Sequence, residues 1–397
     1  MAPAGDIEKL KFAILFGADA VYLGLKELTM RTSTCNFTPD ELKMAVNFAH
    51  QRNVKVYLTC NTTLKNNQVK KLPEFMELAK EAKVDAVIVA DMGAFAVAKQ
   101  SANCMDIHIS TQAGVTNFAA ANEFFKLGAK RIILARELSL KDIREIRRNT
   151  PHDLELEVFV HGAMCMAFSG RCLLSSFLTG RSANEGECAQ PCRWNYHLFK
   201  KNQQGEYFPV YENDDGSYIL NAKDLCMIEH LPELEDAGIS SFKIEGRSKS
   251  FYYVAVVTNA YKQALELFGK SPKTFKLPDF LREEVNKVSH REYSTGFYFG
   301  MPCQFIENGG YLRNYDVVAT VESCDGFMVN CSQRNKFEVP TTVELISPGK
   351  RPLTLTIEKL FDEFGQQISS VPHAMMKFKF ESDFKLPEGT IIRKLIE

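Results

Sequence analysis

One short pattern recurs through the first 246 residues and restricts the fold of this chain more than any other feature. The end of a helix is followed by a tight turn and then by an uninterrupted apolar run rich in β-branched residues. Its copies are GADAVYLG (17–24), KVDAVIVAD (83–91), LGAKRIILARE (127–137) and AGISSFKIEG (237–246). Uninterrupted apolar runs of this kind are typical of strands buried on both faces of a parallel sheet.

Further strand candidates complete a set of eight: MAPAG (1–5), KVYLTCN (55–61), DIHISTQ (106–112) and LELEVFVHG (154–162). Amphipathic helices are predicted between most of the strands, at 6–16, 38–51, 72–82 and 140–148. The second of these helices starts with Thr38, Pro39 and Glu41, which are residue types that favour a helix N-terminus. Eight strand–helix units predict an α/β fold, a (β/α)8 TIM-like barrel.

The sequence divides into three parts. Residues 1–270 are predicted to form the barrel, with a cysteine-rich insertion at 162–235 that is too long for an ordinary barrel loop. Residues 271–310 are predicted to be a linker with a short helix. From 311 to 397 apolar and polar residues alternate, as in VVATVES and TTVELIS. This alternation predicts a small all-β C-terminal domain, built as a β-barrel.

The insertion concentrates cysteines at Cys165, Cys172, Cys188 and Cys192, and Cys226 follows in the segment NAKDLC. Thiolates gathered on loop backbone suit a soft metal centre. Structural zinc sites usually contain two close cysteine pairs, and only Cys188 and Cys192 are that close. The uneven spacing therefore favours an iron–sulfur cluster, with zinc or no metal as alternatives. Cys165, Cys172 and Cys188 belong to every sensible ligand set, and the fourth ligand is Cys192 or Cys226.

Polar residues follow the predicted strands, at the end of a barrel where catalysis takes place. The predicted catalytic residues are His161, Glu245 and Asp91, and the predicted substrate-binding residues at strand ends are Asn61, Gln112, Arg136 and Arg247. The alternative for each residue taken singly is a helix cap or a supporting group. His161 is predicted to transfer a proton or to bind substrate. The alternative is a structural role, in which a backbone carbonyl beside the cluster satisfies the histidine.

Basic residues flank the predicted mouth of the barrel. They are Arg171, Arg181, Arg193, Lys243, Arg247 and Lys249. Guanidinium groups match carboxylates and phosphates in two-point geometry, so this rim is predicted to bind anionic ligands. Glu157 is predicted to point into the barrel, where Arg171 or Lys243 would serve as its partner.

Composition excludes several classes of protein. Hydrophobic residues make up 45% and charged residues 24%, which describes an ordinary globular protein. No apolar run approaches the ~20 residues of a membrane helix and no signal segment opens the chain, so we expect a cytoplasmic protein without a membrane partner. Eleven cysteines then favour metal binding over disulfides. With a net charge of −1, any RNA must bind a local basic patch.

The residues around the cysteines resemble a known family. Glu157, Phe159, Gly162, Cys165, Gly170, Cys172 and Ser175 match the signature of the peptidase U32 family, also called collagenase-like. The segments GRSANEGECAQPCRWNY, YILNAKDLC and SFKIEGRSKSFYYVA resemble its branch of tRNA 5-hydroxyuridine synthases. The resemblance implies a 4Fe-4S cluster with Cys226 as fourth ligand. It also implies prephenate as cosubstrate and tRNA as the partner that is hydroxylated at C5 of the wobble uridine.

Other activities stay open alongside this one. Related members of the family are hydroxylases of ribosomal RNA or of a quinone precursor, and the family name implies a peptidase. The sequence contains no HExxH or GxSxG motif and no Cys–His pair whose cysteine is free of the cluster, which disfavours proteolysis. Family members also act as paired subunits, so a second member, a homo-oligomer or a non-catalytic scaffold role is a further expectation.

Overall fold

A computed structural model of the chain describes residues 1–30, 36–101, 105–194, 199–201, 207–209, 222–302 and 310–396. Within them the chain forms two compact units. The first comprises Met1–Leu10, Asp19–Lys249 and His290–Tyr311, and the second comprises Lys11–Ala18, Ser250–Ser289 and Leu312–Glu397. Part of the predicted insertion at 162–235 lies outside the described residues. The predicted boundaries near 270 and 310 stay predictions.

The first unit contains a barrel of parallel strands. In chain order, the strands described in this unit are β1 Ala2–Pro3, β2 Ala20–Leu23, β3 Lys55–Cys60, β4 Ala86–Val89, β5 Asp106–Ile109, β6 Arg131–Ile133, β7 Glu155–Gly162, β8 Phe199–Lys201, β9 Tyr207–Pro209, β10 Asp224–Cys226, β11 Ser241–Ile244 and β12 Tyr293–Ser294. Strands β1 to β7 pair in sequence order and β11 pairs with β7. The Met1 amino group donates to the Phe242 carbonyl at 2.7 Å and the Ile244 N–H donates to the Met1 carbonyl at 3.1 Å, which closes the barrel. The predicted TIM-like barrel is confirmed.

Helices connect most of the barrel strands and continue beyond them. The described helices are α1 Ile7–Leu15, α2 Pro39–His50, α3 Asn66–Val69, α4 Leu72–Glu81, α5 Met92–Ser101, α6 Phe118–Leu127, α7 Leu140–Arg148, α8 Leu174–Thr179, α9 Leu231–Asp236, α10 Phe251–Lys270 and α11 Asp279–Asn286. Helix α2 begins as predicted, because Thr38 and Glu41 form a reciprocal capping box in front of Pro39. No helix among the described residues is both long enough and apolar enough to cross a membrane.

Two short strands that the sequence analysis did not predict extend the sheet beyond the barrel. Strand β10 runs antiparallel to the end of β7 and pairs Cys226 with His161 and Leu225 with Gly162. Strand β12 pairs with β10 in parallel. Cys226 is therefore held on a strand beside the end of β7 and does not lie on a free loop.

The second unit is built around an antiparallel sheet. Its described strands are β13 Tyr315–Asp325, β14 Met328–Gln333, β15 Phe337–Glu338, β16 Thr341–Ile346, β17 Leu353–Ile357, β18 Leu360–Asp362, β19 Gln367–Ile368, β20 Ser370–Val371, β21 Lys377–Glu381 and β22 Ile391–Leu395. The main sheet has the order β17-β16-β22-β13-β14-β21-β18-β19. In β21 the rings of Phe378 and Phe380 are buried while Lys377 is exposed, the alternation expected of a sheet with one face on the core. The predicted all-β C-terminal part is confirmed.

Candidate active site

A cavity of about 300 Å³ lies where the strands of the barrel end. Its described lining includes the thiols of Cys165, Cys172, Cys188 and Cys192. Residues that follow β5, β6 and β11 line its inner end, namely Gln112, Arg136 and Glu245. The carboxyl ends of the strands therefore meet the cysteine loop at one place, as catalytic sites of this fold do.

Local contacts explain why the cysteine loop folds over the barrel. Asn184 makes a two-point contact with the backbone of Cys172, accepting from its N–H at 3.2 Å and donating to its carbonyl at 2.9 Å. Gly170 has a φ of +78°, and a Cβ atom there would lie 2.3 Å from the Gln112 carbonyl oxygen. A side chain at 170 would therefore push the loop away from β5. The loop is therefore braced internally at Cys172 and lies close against Gln112 at Gly170.

Arg136 is the cation inside the cavity. Its Nη1 donates to the Ala163 carbonyl at 3.3 Å, while its buried Nε has no hydrogen-bond partner among the described residues. Burial alone would lower the pKa of Arg136, but the nearby Cys165 thiol and the carboxylates of Glu137 and Glu245 raise it. The guanidinium is therefore charged, and its Nε–H donates to none of the described residues.

Gln112 and Glu245 are two further polar residues of the cavity lining, which also includes Thr111, Ser169 and Asn184. The buried Oε1 of Gln112 also has no partner among the described residues. The Tyr22 hydroxyl lies between two acceptors, the Ile244 carbonyl at 3.0 Å and Glu245 Oε2 at 3.2 Å, and shares its one hydrogen between them. Phe159 and Met30 add an apolar wall. This arrangement can bind a small anion that carries an apolar ring, with donors and an acceptor at its polar end.

His161 lies outside the cavity lining and is fully buried. Its Nε2 is 3.3 Å from the Tyr293 hydroxyl, and the Tyr293 ring stacks on His290 with centroids 4.2 Å apart. Burial lowers the pKa of His161 to about 3, so the ring is neutral at physiological pH. In this structure His161 occupies a buried aromatic stack beside β10, and its predicted catalytic role stays a prediction.

Asp91 and Asn61 also lie outside the cavity lining. The Asp91 carboxylate accepts from the backbone N–H groups of Gly93 and Ala94 at 2.8 and 3.1 Å, so it caps the start of α5. Asn61 accepts from the Met30 N–H at 3.3 Å. Because Met30 lines the cavity, Asn61 supports the wall without touching the interior.

The basic residues predicted for the rim separate into three groups. Lys243 and Arg247 are buried in the barrel, where Lys243 lies 3.3 Å from Glu157 and Arg247 lies 3.2 Å from the Thr59 hydroxyl. Arg171 and Arg181 are exposed. Arg193 and Lys249 meet around the ring of Tyr311: the hydroxyl accepts from Arg193 at 2.8 Å, and the Lys249 amine lies 4.1 Å above the ring. Arg171 or Lys243 was the predicted partner of Glu157, and the structure pairs Glu157 with Lys243.

Several residues of the site carried no distinct signal in the sequence. Tyr22 lies in an apolar strand, and Tyr293 and Tyr311 lie far from the cysteines in the chain. A tyrosine near the end of a barrel strand only weakly indicates a functional role at the open end of the barrel. Its hydroxyl needs a polar partner there, whatever the function of that partner.

Comparisons with known proteins agree with this architecture. The model of peptidase family U32 matches residues 5–307, and that of the U32 C-terminal domain matches 313–393. A tRNA hydroxylation protein P1 of Bacillus subtilis is 36% identical over 99% of this chain and 94% of its own length. A tRNA hydroxylation protein P of Helicobacter pylori is 42% identical over 91% of this chain and 86% of its own. An uncharacterized protease of Methanocaldococcus jannaschii is 48% identical over 75% of this chain and 72% of its own.

Proposed function

The chain belongs to peptidase family U32, and on that premise we propose that it is an RNA-modifying enzyme that hydroxylates tRNA. In its specific form, the proposal is prephenate-dependent hydroxylation of the wobble uridine at C5. Two relatives that share most of their length with this chain are named tRNA hydroxylation proteins. The observation that carries the proposal is the single cavity where the cysteine thiols face Arg136, Gln112 and Glu245.

The thiols suit an iron–sulfur cluster. Among the described residues no three His, Cys, Asp or Glu side chains are close enough to hold one metal ion. Four cysteines nevertheless line one cavity, and cysteine thiolates are the usual ligands of iron–sulfur clusters. Cys165, Cys172 and Cys188 would hold it. Cys192 lines the same cavity, whereas the resemblance implies Cys226. When bound, the cluster would supply one-electron transfer.

The inner end of the cavity suits prephenate, a dicarboxylate with a ring hydroxyl. Arg136 would bind one carboxylate, because a guanidinium fork matches carboxylate geometry. The free acceptor of Gln112 would take the hydroxyl hydrogen, and Phe159 would pack on the ring. Glu245, in contact with the Tyr22 hydroxyl, is the group in the cavity that can take up a proton.

Anaerobic purification tests the cofactor. We expect iron, acid-labile sulfide and a thiolate-to-iron absorption band in the wild type, and their loss in Cys165→Ser, Cys172→Ser and Cys188→Ser. Cys324→Ser is the matched control, since Cys324, like Cys172 and Cys188, is half-buried but lies in the second unit. Comparing Cys192→Ser with Cys226→Ser identifies the fourth ligand, because only the ligand variant loses iron. A wild type without iron would contradict the cluster.

The reaction is tested on tRNA from a deletion strain. We expect 5-hydroxyuridine derivatives to disappear on deletion and to return when the wild-type gene is supplied, but not when the Cys172→Ser gene is supplied. Nucleosides unchanged by the deletion would overturn the proposal. Cleavage of gelatin by the purified protein, lost in the same cysteine variant, would favour the peptidase alternative. The second subunit or homo-oligomer implied by the resemblance stays a prediction.

A further inference from the structure

A patch of positive charge surrounds one tyrosine just outside the cavity. We call Arg193, Lys249, Arg291 and Tyr311 the Tyr311 patch; all four lie in the first unit. Arg193 donates to the Tyr311 hydroxyl at 2.8 Å, the Lys249 amine lies 4.1 Å from the ring centroid, and the Arg291 guanidinium carbon lies 5.9 Å from it. Arg193 directly follows Cys192, which lines the cavity. The patch is therefore attached to the rim of the site.

Within the patch, Arg291 pairs with a carboxylate. Arg291 is buried and lies 2.6 Å from Asp224, so its charge is balanced. Among the described residues, Arg193 donates to two neutral oxygens, those of Gln190 and Tyr311. Burial lowers the pKa of Lys249 to about 8, and the nearby arginines act in the same direction while Asp224 opposes them. Arg193, Lys249 and Arg291 thus bring three cations close to one ring, and an anion bound beside them would be attracted to them.

The surroundings of the patch favour a polymeric anion. Tyr311 is 42% exposed and Trp194, which follows Arg193, is 45% exposed, so the patch faces solvent and not the enclosed cavity. Exposed aromatic rings beside basic residues are the usual surface for single-stranded nucleic acid, since phosphates meet the cations and bases stack on the rings. The net charge of the chain is −1, so such a local patch is what RNA binding requires.

We propose that Arg193 and Lys249, held by Tyr311, bind a phosphate of the RNA substrate, and that Arg136 inside the cavity is left to the small dicarboxylate. This assignment rests on the proposed function. It gives the RNA phosphate and the dicarboxylate different binding residues, whereas the sequence alone assigned both ligands to the same set of basic residues. Tyr311 acts as a positioning residue, because its ring and hydroxyl fix the two cations without supplying charge.

Binding of an unmodified transcript of a wobble-uridine tRNA to the full chain tests the inference over a range of salt concentrations. Arg193→Gln and Lys249→Gln should each weaken binding by about fivefold at physiological salt, and each should reduce the slope of log affinity against log salt by about 0.7 to 0.9. Tyr311→Phe keeps the ring under Lys249 and should weaken binding less than Tyr311→Leu. The matched control is Arg148→Gln, which removes one exposed charge at the end of α7.

The outcomes separate this inference from the proposed function. RNA affinity that falls in the patch variants but not in the control, with unchanged iron content and prephenate affinity, supports the assignment. If the wild type binds the transcript and the patch variants behave like Arg148→Gln, the patch inference is wrong while the proposed function stands. Patch variants that lose prephenate and keep RNA would reverse the assignment. A wild type that does not bind tRNA would overturn both.

Discussion

Replacing Glu157 with glutamine tests how the buried charges of the barrel hold the fold together. Glu157 is fully buried, with Arg131 at 2.9 Å and Lys243 at 3.3 Å, and it accepts from the Ser241 hydroxyl at 2.7 Å. Glutamine keeps the shape of the side chain and removes its charge. Arg131 retains Glu155, at 2.7 Å from its Nε, whereas Lys243 loses the carboxylate that neutralises it.

The magnitude follows from the burial of Lys243, whose side chain is only 5% exposed. Removing one member of a buried pair costs about 3–5 kcal/mol, because the other charge stays buried without compensation. We expect the lower end, about 3 kcal/mol, since Arg131 keeps a partner and glutamine keeps a hydrogen bond to Ser241. Glu157→Gln combined with Lys243→Met should recover most of the loss, because both charges are then gone.

The pH dependence of this variant has a definite sign. Burial alone would raise the pKa of Glu157, but Lys243 and Arg131 hold it below its usual range. Its stabilising contribution is therefore present above the unfolded pKa and is lost as the pH falls through the folded pKa. Burial lowers the pKa of Lys243, and Glu157 opposes this. Without Glu157 the lysine pKa falls further, so the variant should gain stability more steeply than the wild type as the pH rises towards 10.

Urea unfolding followed by circular dichroism measures both effects. Hydrogen exchange of a peptide covering 155–162 assigns the transition to the barrel. Glu123→Gln is the matched control, because Glu123 pairs with Lys126 on the surface at 67% and 68% exposure and should cost little. A loss below about 1 kcal/mol in Glu157→Gln, together with an unchanged pH slope, would refute the reasoning.

Two further variants probe the cavity and the second unit. Arg136→Gln should raise the KM for prephenate by about 10- to 100-fold with a smaller change in kcat, because it removes a charged hydrogen bond; an unchanged KM in steady-state kinetics would contradict that role. Arg393→Met should destabilise the second unit by about 3–5 kcal/mol, because it leaves Glu284 and Glu344 without the buried guanidinium that joins them. Arg393 holds the pKa of Glu344 below its usual range, so this contribution should also be lost as the pH falls through the acid range, which thermal unfolding at several pH values measures.

The barrel was predictable from sequence because each of its strands is buried on both faces. In a globular chain, an uninterrupted apolar run after a helix end is typical of a strand buried on both faces. Strands β10 and β12 were not predictable in the same way. They are three and two residues long, and β10 pairs with the end of β7, which no local pattern reveals. The position of Cys226 beside His161 depends on that pairing.

The site was only partly predictable, because a polar residue at a strand end has several possible partners. Asp91 follows β4 by two residues and Gln112 follows β5 by three, yet Asp91 caps α5 while Gln112 lines the cavity. Residue type alone does not say which of these a polar residue after a strand will do. Arg247 was assigned to the rim with Arg193, but its guanidinium turns inward to Thr59. A long side chain can point to either side of the barrel wall, and the hydroxyls available inside decide which.

The buried charges and the cavity are linked through aromatic rings. The Lys243 amine lies 4.4 Å from the centroid of Tyr22 and 5.4 Å from that of Phe159. The Tyr22 hydroxyl contacts Glu245, and Phe159 forms the apolar wall, so Lys243 packs against both rings that shape the cavity. Because Glu157 opposes the lowering of the Lys243 pKa by burial, Glu157→Gln should weaken these contacts and lower activity beyond its effect on stability, and Lys243→Met alone should do the same. If either variant, assayed well below its unfolding temperature, keeps full activity, then the buried charges support only the fold and the rings hold the cavity without them.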